Sequence, residues 1–491
     1  MTTAFRDLMA YQRETEALAQ IAGRTGWDQE TMMPPGAALQ RGEELAAIEG
    51  VLHARRTDPR IGDWLATAVA PDAAGARALA LIARAYQRTA RVPVQLAAEI
   101  ARVTSVAQSI WAEARARDDV AHFLPTLERV VALTREKAQA LAQGGDAYDA
   151  LLEDYEPGTD GAALTAMFDT MRPRLVALRS AVLGASYQPK PLAGSFGRDG
   201  QLALARQMAD AFGYDWRRGR LDLAVHPFCS GSGNDVRITT RVVESDPFNC
   251  LYSTIHEVGH ACYEQGIDQA HLLTPLGQGA SMGVHESQSR ICENQLGRSA
   301  AFSGWLFARM QAVYGATGVD TAEQFHAAAN RVHRGYIRTE ADEVQYNLHI
   351  MLRFDLEREL IAGRLVVSDL QEAWNARFLH DFGYAVDRPS NGVLQDVHWS
   401  CGLFGYFPTY TLGNLYAGCL HKAMRADLPD LDAALSRGDA RPATGWLRDR
   451  LQRHGSLHPP RETIEAACGF APTAEPLLAA LEAKFRALYR L

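Results

Sequence analysis

Residues 246–266 read Asp246-Pro247-Phe248-Asn249-Cys250-Leu251-Tyr252-Ser253-Thr254-Ile255-His256-Glu257-Val258-Gly259-His260-Ala261-Cys262-Tyr263-Glu264-Gln265-Gly266. Its ends predict a helix: Asp246 is a capping residue, Pro247 suits the first helical position and Gly266 suits the stop. Side chains four apart share a helix face, so His256 and His260 converge on one point while Glu257 stands beside them. Two neutral imidazoles supply two of the three protein ligands of a catalytic zinc. Water takes the fourth position and the glutamate can accept its proton. The bland alternative is a buried helix whose histidines bond to backbone carbonyls. Gly259 speaks against it, because a glycine inside a helix costs about 1 kcal/mol relative to alanine and so calls for a reason.

Two histidines need a third donor from a neighbouring helix. The stretch Gly283 to Gly297 offers apolar residues at Val284, Ile291 and Leu296, a capping residue in Ser281 and a terminator in Gly297. Glu286 is the predicted third ligand. The 25 residues between it and His260 suffice to finish one helix, cross a loop from Ala270 to Gly283 and bring a second helix back across the first. His285 points about a third of a turn away from Glu286, so both cannot readily hold one ion; it is expected to support the site or face the substrate. Glu293 lies two turns further on, about 10 Å along the axis and too far for the same ion, which leaves it a solvated or ion-paired glutamate.

The chain has 491 residues, 47% hydrophobic and 22% charged, enough for one large domain or a few smaller ones. A net charge of −8, with arginines dispersed rather than clustered, gives no footprint for nucleic acid. No stretch approaches the roughly 18 consecutive apolar residues of a membrane span, and Met1-Thr2-Thr3-Ala4-Phe5-Arg6-Asp7 meets charge at once, so the expectation is a cytoplasmic protein with no membrane partner. Seven scattered cysteines, none in a Cys-x-x-Cys pair, fit reduced thiols; Cys250 and Cys262 read as small core residues.

Stretches rich in Ala, Leu, Arg and Glu predict helices over 4–23, 37–56, 74–88, 93–117, 120–143, 161–184 and 200–213, and again over 303–315, 321–332, 339–362, 367–379 and 409–425. Breaks fall at Met33-Pro34-Pro35-Gly36, Gly144-Gly145-Asp146, Glu156-Pro157-Gly158 and Tyr187-Gln188-Pro189-Lys190-Pro191. The one convincing strand region is 221–243, where Leu221 to Val225 and Val236 to Val242 alternate and are joined by a Gly/Ser loop over 230–234. A small sheet beside the metal helix can offer its edge to an extended peptide. The expected architecture is all-α, mainly helical, one domain over 1–491 with a deep groove, a helical N-terminal lid region over about 1–150 and a metal-site core over about 220–425.

Further polar clusters interrupt apolar sequence: His226-Pro227-Phe228, Asp235-Val236-Arg237-Ile238-Thr239, Arg338-Thr339-Glu340-Ala341-Asp342-Glu343, Gln395-Asp396-Val397-His398-Trp399 and Gly405-Tyr406-Phe407-Pro408-Thr409-Tyr410. Singly, each reads equally well as a turn, a helix start or a surface ion pair. In order, His226-Pro227-Phe228, Asp235-x-Arg237-x-Thr239, His256-Glu257-x-x-His260, His285-Glu286-Ser287-Gln288 and Gly392-x-x-Gln395-Asp396-x-His398-Trp399 resemble the signature set of the carboxypeptidase Taq family of metallocarboxypeptidases. The N-terminal Trp27-Asp28-Gln29-Glu30-Thr31-Met32-Met33-Pro34 is similar to that family's opening. The resemblance implies a neurolysin-like, two-lobed groove fold, a homodimer, a zinc or cobalt ion, and release of single C-terminal residues from peptides with broad specificity, C-terminal proline being disfavoured. Carried over by position, the metal ligands are His256, His260 and Glu286 and the catalytic glutamate is Glu257.

Relatives in the wider glutamate-zincin group place an aspartate four residues after the third ligand, where this chain has Arg290. A carboxylate behind the ligating histidines is therefore expected among Glu340, Asp342, Glu343 and Asp396. Glu257 is expected to move the water proton to the leaving amine, with Tyr410, then Tyr406 and His398, as donors to the oxyanion. Arg338, and second Arg237, suit the terminal carboxylate of a substrate. Two rival readings stand beside this one: a metallo-oligopeptidase cleaving internally, and a non-catalytic helical binding scaffold.

Overall fold

The Ala- and Leu-rich runs become helices between the predicted breaks. In the computed structural model, which describes residues 2–491, helices span Thr3–Thr31, Ala38–Arg56, Ala73–Arg91, Val94–Arg117, Val120–Ala142, Gly161–Gly184 and Arg198–Ala211 before the metal helix. Short helices at Arg60–Thr67 and Ala147–Leu152 were not expected, since eight and six residues give periodicity too little length to register. Three short strands are the only sheet among the described residues, so the fold is mainly helical as expected. No described helix is long and apolar enough to cross a membrane.

The chain divides into two compact units. The first comprises the chain up to Ala90 with Pro189–Ala329 and Gly413–Thr473. Its N-terminal helices close over Leu8, Ile61 and Ile82, packed by Tyr11, Trp64 and Tyr86. Its centre is the helix Pro247–Gly266, which is buried along most of its length and flanked by the sheet. The second comprises Arg91–Gln188, Asn330–Leu412 and Ala474–Leu491, built on helices Gly161–Gly184 and Glu343–Ile361, where Phe168 meets Phe354 edge-on at 4.9 Å. In that unit the fully buried Glu357 accepts from the Tyr148 hydroxyl and the Trp399 indole, both at 2.8 Å, and from the Gly405 N–H at 3.0 Å. Burial pushes its carboxyl up to about 7.

The sheet corrects one expectation. Strands β1 (Leu221–Leu223), β2 (Cys229–Ser232) and β3 (Asp235–Thr240) lie in the order β1-β3-β2, with β1 parallel and β2 antiparallel to β3. Part of the expected Gly/Ser loop is thus a strand. Gly231 sits at φ +94°, and a Cβ there would stand 2.0 Å from the Asp235 carbonyl oxygen, so only glycine lets β2 return alongside β3. Thr240 at the end of β3 donates to the Cys250 carbonyl at 3.0 Å and accepts from Thr254, which ties the sheet to the metal helix.

The metal helix meets the helix Met282–Arg290 at Gly259. A Cβ on Gly259 would come within 2.3 Å of the Gln288 carbonyl oxygen and 2.6 Å of the Ser289 Cα. Both obstacles are backbone and cannot rotate away. Replacing Gly259 by alanine is expected to lower stability by about 2 kcal/mol or more, the overpacking cost outweighing the roughly 1 kcal/mol gain in helix propensity. Gly42, exposed in the helix Ala38–Arg56 with nothing within 4 Å of its Cβ position, supplies the opposite sign: Gly42→Ala should stabilise by about 1 kcal/mol. Denaturant midpoints of the two variants check both signs.

Candidate metal centre

His256 and His260 stand one turn apart on the Pro247–Gly266 helix, and Glu286 faces them from Met282–Arg290, whose start Ser281 caps by accepting the Val284 N–H at 3.0 Å. One donor atom from each lies within 4.8 Å of the others. Glu286 Oε2 is 3.6 Å from His256 Nε2 and 3.4 Å from His260 Nε2. Ligands about 2.0–2.1 Å from a tetrahedral zinc stand roughly 3.4 Å apart, so the two nitrogens and one oxygen fit a divalent ion. Burial pushes the His260 imidazole down to about 3, which keeps it neutral, as a ligand must be. Burial alone would raise Glu286, but the Arg290 cation beside it and the two histidines hold it well below the usual carboxylate range.

Glu286 is gripped from both sides. Arg290 Nε donates to its Oε1 at 2.6 Å and the Ser289 hydroxyl donates towards its Oε2 at 3.1 Å. At its back, a Cβ on Gly413 would stand 2.5 Å from Glu286 Cγ, so a glycine is needed for that segment to pass. Arg290, at the position where the wider group has an aspartate, thus fixes Glu286 as an anion.

The carboxylate behind His256 is none of Glu340, Asp342, Glu343 or Asp396. It is Glu293, whose Oε2 lies 3.0 Å from His256 Nδ1. Distance along the helix excluded Glu293 as a partner of the ion, yet an imidazole ring spans the gap: Glu286 meets Nε2 and Glu293 meets Nδ1. The expected single helix over 283–297 is also interrupted, because Ile291–Gly297 winds as a π-helix. Such local widening is common at functional sites. Burial would raise Glu293, but its hydrogen bond to His256 and the cations of Arg290 and Arg298 bring it to about 2. His260 has a different support: its Nδ1 lies 2.6 Å from His285 Nδ1, and His285 Nε2 lies 2.7 Å from Glu264 Oε1.

Glu257 is buried next to His256 in the chain and outside the three-donor group. Burial pushes its carboxyl up to about 7, with the neighbouring Glu286 and Glu293 charges adding to the rise and His256 opposing it.

The remaining sequence-predicted residues fall into two groups. His226, exposed before β2, and Arg237, on β3, lie in the same unit as the metal ligands. Arg237 is engaged: its fork pairs with Asp235 at 2.7 and 3.0 Å, and its guanidinium lies 4.3 Å over the Trp27 ring. In the second unit Arg338, His398, Tyr406 and Tyr410 come together. Arg338 is buried, donates to Asp396 Oδ1 at 2.8 Å, and lies 4.9 Å over the Tyr410 ring. His398 Nε2 is 3.3 Å from the Tyr410 hydroxyl, and the Tyr406 and Tyr410 rings meet at 5.4 Å. Burial takes His398 down to about 4, so it is neutral. Sequence reasoning missed Arg353, fully buried on the other oxygen of Asp396, with Nε donating at 2.7 Å; its helix reads as core throughout and gives no signal.

The sequence profile of the carboxypeptidase Taq (M32) metallopeptidase family matches residues 7–485. Thermostable carboxypeptidase 1 of Thermus thermophilus is 44% identical over 99% of both chains, and its namesake in Pyrococcus furiosus is 33% identical over 94% of this chain and 95% of that one. The crystal structure of an M32 carboxypeptidase from Deinococcus radiodurans R1 superimposes with a TM-score of 0.96 at 39% identity, covering 100% of each chain. Metallocarboxypeptidase 1 of Trypanosoma cruzi gives 0.95 at 32% identity, over 99% of this chain and 100% of that one.

If Glu293 orients His256, its loss should be felt as metal affinity. Glu293→Ala is expected to weaken zinc binding about 10–100-fold. Stripping the metal from the wild type should lower its stability by about 2.7 kcal/mol relative to protein at a free zinc concentration 100 times the dissociation constant. Zinc titration against a competing chelator, followed by thermal melts with and without zinc, measures both.

Proposed function

The chain belongs to the carboxypeptidase Taq (M32) metallopeptidase family, and from that premise we propose which of its residues carry out the reaction. It is a metal-dependent carboxypeptidase acting on peptides. His256, His260 and Glu286 hold one divalent ion, zinc by preference with cobalt as the alternative. The observation that carries this is the convergence of their three donor atoms within 4.8 Å, at separations matching a tetrahedral site. When bound, such an ion polarises a peptide carbonyl and acidifies water.

Glu257 is the proton carrier. Its carboxylate takes a proton from water as the last peptide bond is attacked and delivers it to the nitrogen of the departing residue. A carboxyl that burial brings to about 7 is matched to both directions of that transfer. Tyr410, with Tyr406 and His398 as alternatives, donates to the oxyanion that develops on the carbonyl. A single such donor contributes about 3 kcal/mol.

Arg338 takes the substrate's terminal carboxylate. Supporting this, Arg338 and Arg353 share the single carboxylate of Asp396, so the buried trio carries a net positive charge, whereas Arg237 is only half-buried and its fork is occupied by Asp235 at two points. His226 and Arg237 then serve the substrate's path or the sheet. The reading extends to broad specificity with C-terminal proline disfavoured, a homodimer and a cytoplasmic setting. Internal cleavage is the reading the family sets aside.

Glu257→Gln should keep its zinc while kcat falls about 10²–10⁴-fold; near-normal turnover with metal bound would end the proposal. Product masses from wild type should form a ladder losing one C-terminal residue at a time. Arg338→Ala should raise KM for a free peptide about 100-fold and leave its C-terminal amide, already a poor substrate, little changed.

A further inference from the structure

We propose that His285 and Glu264 act as a positioning relay that fixes His260 in the one tautomer able to bind the metal, a support different in kind from the direct carboxylate behind His256. The inference rests on His256, His260 and Glu286 being the metal ligands.

An ionised carboxylate only accepts hydrogen bonds. Glu264 Oε1, 2.7 Å from His285 Nε2, therefore places the hydrogen on that nitrogen. A neutral His285 then presents a bare Nδ1, 2.6 Å from His260 Nδ1. Two bare nitrogens at that distance would repel, so His260 Nδ1 carries the hydrogen and donates. His260 Nε2 is left with its lone pair facing Glu286 Oε2, 3.4 Å away. In the reverse arrangement His285 would donate from both nitrogens and the hydrogen of His260 would sit on Nε2, where it blocks the ligand position. Only the first arrangement is compatible with metal.

The relay is built into the crossing of the two helices. Glu264 lies one turn beyond His260 on the same helix face, and His285 adjoins Glu286 on the opposing helix. The ring of His285 packs 4.7 Å from that of His260 and 5.2 Å from that of Tyr263. Gly279 makes room for both: a Cβ there would stand 2.8 Å from His285 Cδ2 and 3.1 Å from Tyr263 Cε1. The Tyr263 hydroxyl in turn accepts the Ala280 N–H at 3.0 Å, which holds the loop that places Gly279. His256 has the simpler arrangement, with Glu293 directly on Nδ1. The two histidine ligands are thus oriented by unlike partners, one anionic and one a neutral ring.

The test uses the full-length chain, zinc(II) with a chromophoric competing chelator, and cobalt(II) spectra as a second view of the ligand sphere. His285→Phe keeps a ring and removes both hydrogen bonds; Glu264→Leu removes the far end alone. Each is expected to weaken zinc binding about 10–100-fold with unchanged melting of the zinc-free protein. Because the two residues act in series, the double variant should lose no more than the worse single variant. Glu264→Gln, whose amide oxygen still accepts from His285, should stay within about three-fold of wild type. Unchanged affinity in both single variants, an effect of His285→Phe alone, or losses that multiply in the double variant would each overturn the relay. Glu286→Gln separates this from the underlying reading: if it still binds zinc like wild type, the ligand assignment fails, whereas loss of zinc there with normal binding in the relay variants removes the relay only.

Discussion

Backbone contact at Gly259 is the constraint from which the convergence of His256, His260 and Glu286 follows. With no side chain there, the metal helix and the helix carrying Glu286 approach until the Gln288 carbonyl occupies the space a Cβ would need. Only at that separation can a carboxylate as short as a glutamate's sit 3.4–3.6 Å from two imidazole nitrogens on the facing helix. Gly413 repeats the device behind Glu286, and Gly279 repeats it behind His285. Three glycines in three different segments thus surrender side-chain packing so that the polar residues between them touch. A local cost in helix propensity is exchanged for a cluster of histidines and carboxylates with little freedom to move.

Electrostatics explain why so many charges can be buried together. Glu257, Glu264, Glu286 and Glu293 are all buried or nearly so in one neighbourhood, a grouping that would expel itself unless opposed. Arg290 bonds Glu286 at 2.6 Å and lies 3.4 Å from Glu293, and Arg298 reaches Glu293 at 3.3 Å while its guanidinium lies 3.8 Å over Tyr252. These cations fall on Glu293 and on the Glu286 oxygen turned away from the histidines. None is bonded to Glu257, so its proton affinity is free to rise while Glu286 and Glu293 are held as anions. Carboxylates on facing helical segments thereby acquire opposite character, one with its proton affinity raised and two held as anions.

Much of this was legible in the sequence, and the failures have physical causes. The helix Pro247–Gly266 begins and ends where the sequence signals place it, with the proline in its first turn and the glycine as its last residue, although the Asp246 side chain at the N-cap position makes no capping hydrogen bond. Glu286 could be found because a third donor had to come from the next helix within the reach of the loop. Strand β2 could not, because a Gly231 at positive φ looks like turn and its pairing with β3 is decided by space. Glu293 was discarded by an argument valid for an ion and invalid for a ring that has two nitrogens. The π-helix Ile291–Gly297 shows no sign in composition, since its residues are those of an ordinary helix and its winding is set by packing, with Gly297 fitted against Ile255.

The two arginines first considered for a substrate carboxylate illustrate how a structure separates residues that sequence leaves equal. Arg237 and Arg338 both stand beside acidic residues in motif-like strings. Arg237 holds Asp235 through both nitrogens of its fork, with Arg24 3.9 Å from the same carboxylate, and has an indole against its face, the environment of a guanidinium that is part of the scaffold. Arg338 divides Asp396 with Arg353, and the histidines nearest them, His349 and His398, are kept neutral by burial and by those same cations. Neutral imidazoles add nothing to the positive charge, so it stays concentrated on the two guanidiniums. Burying an uncompensated cation costs several kcal/mol, and a fold tolerates that cost most readily where an anion is to arrive. The charge that Asp396 leaves over on the two guanidiniums is the feature on which the proposed role of Arg338 towards a substrate carboxylate depends.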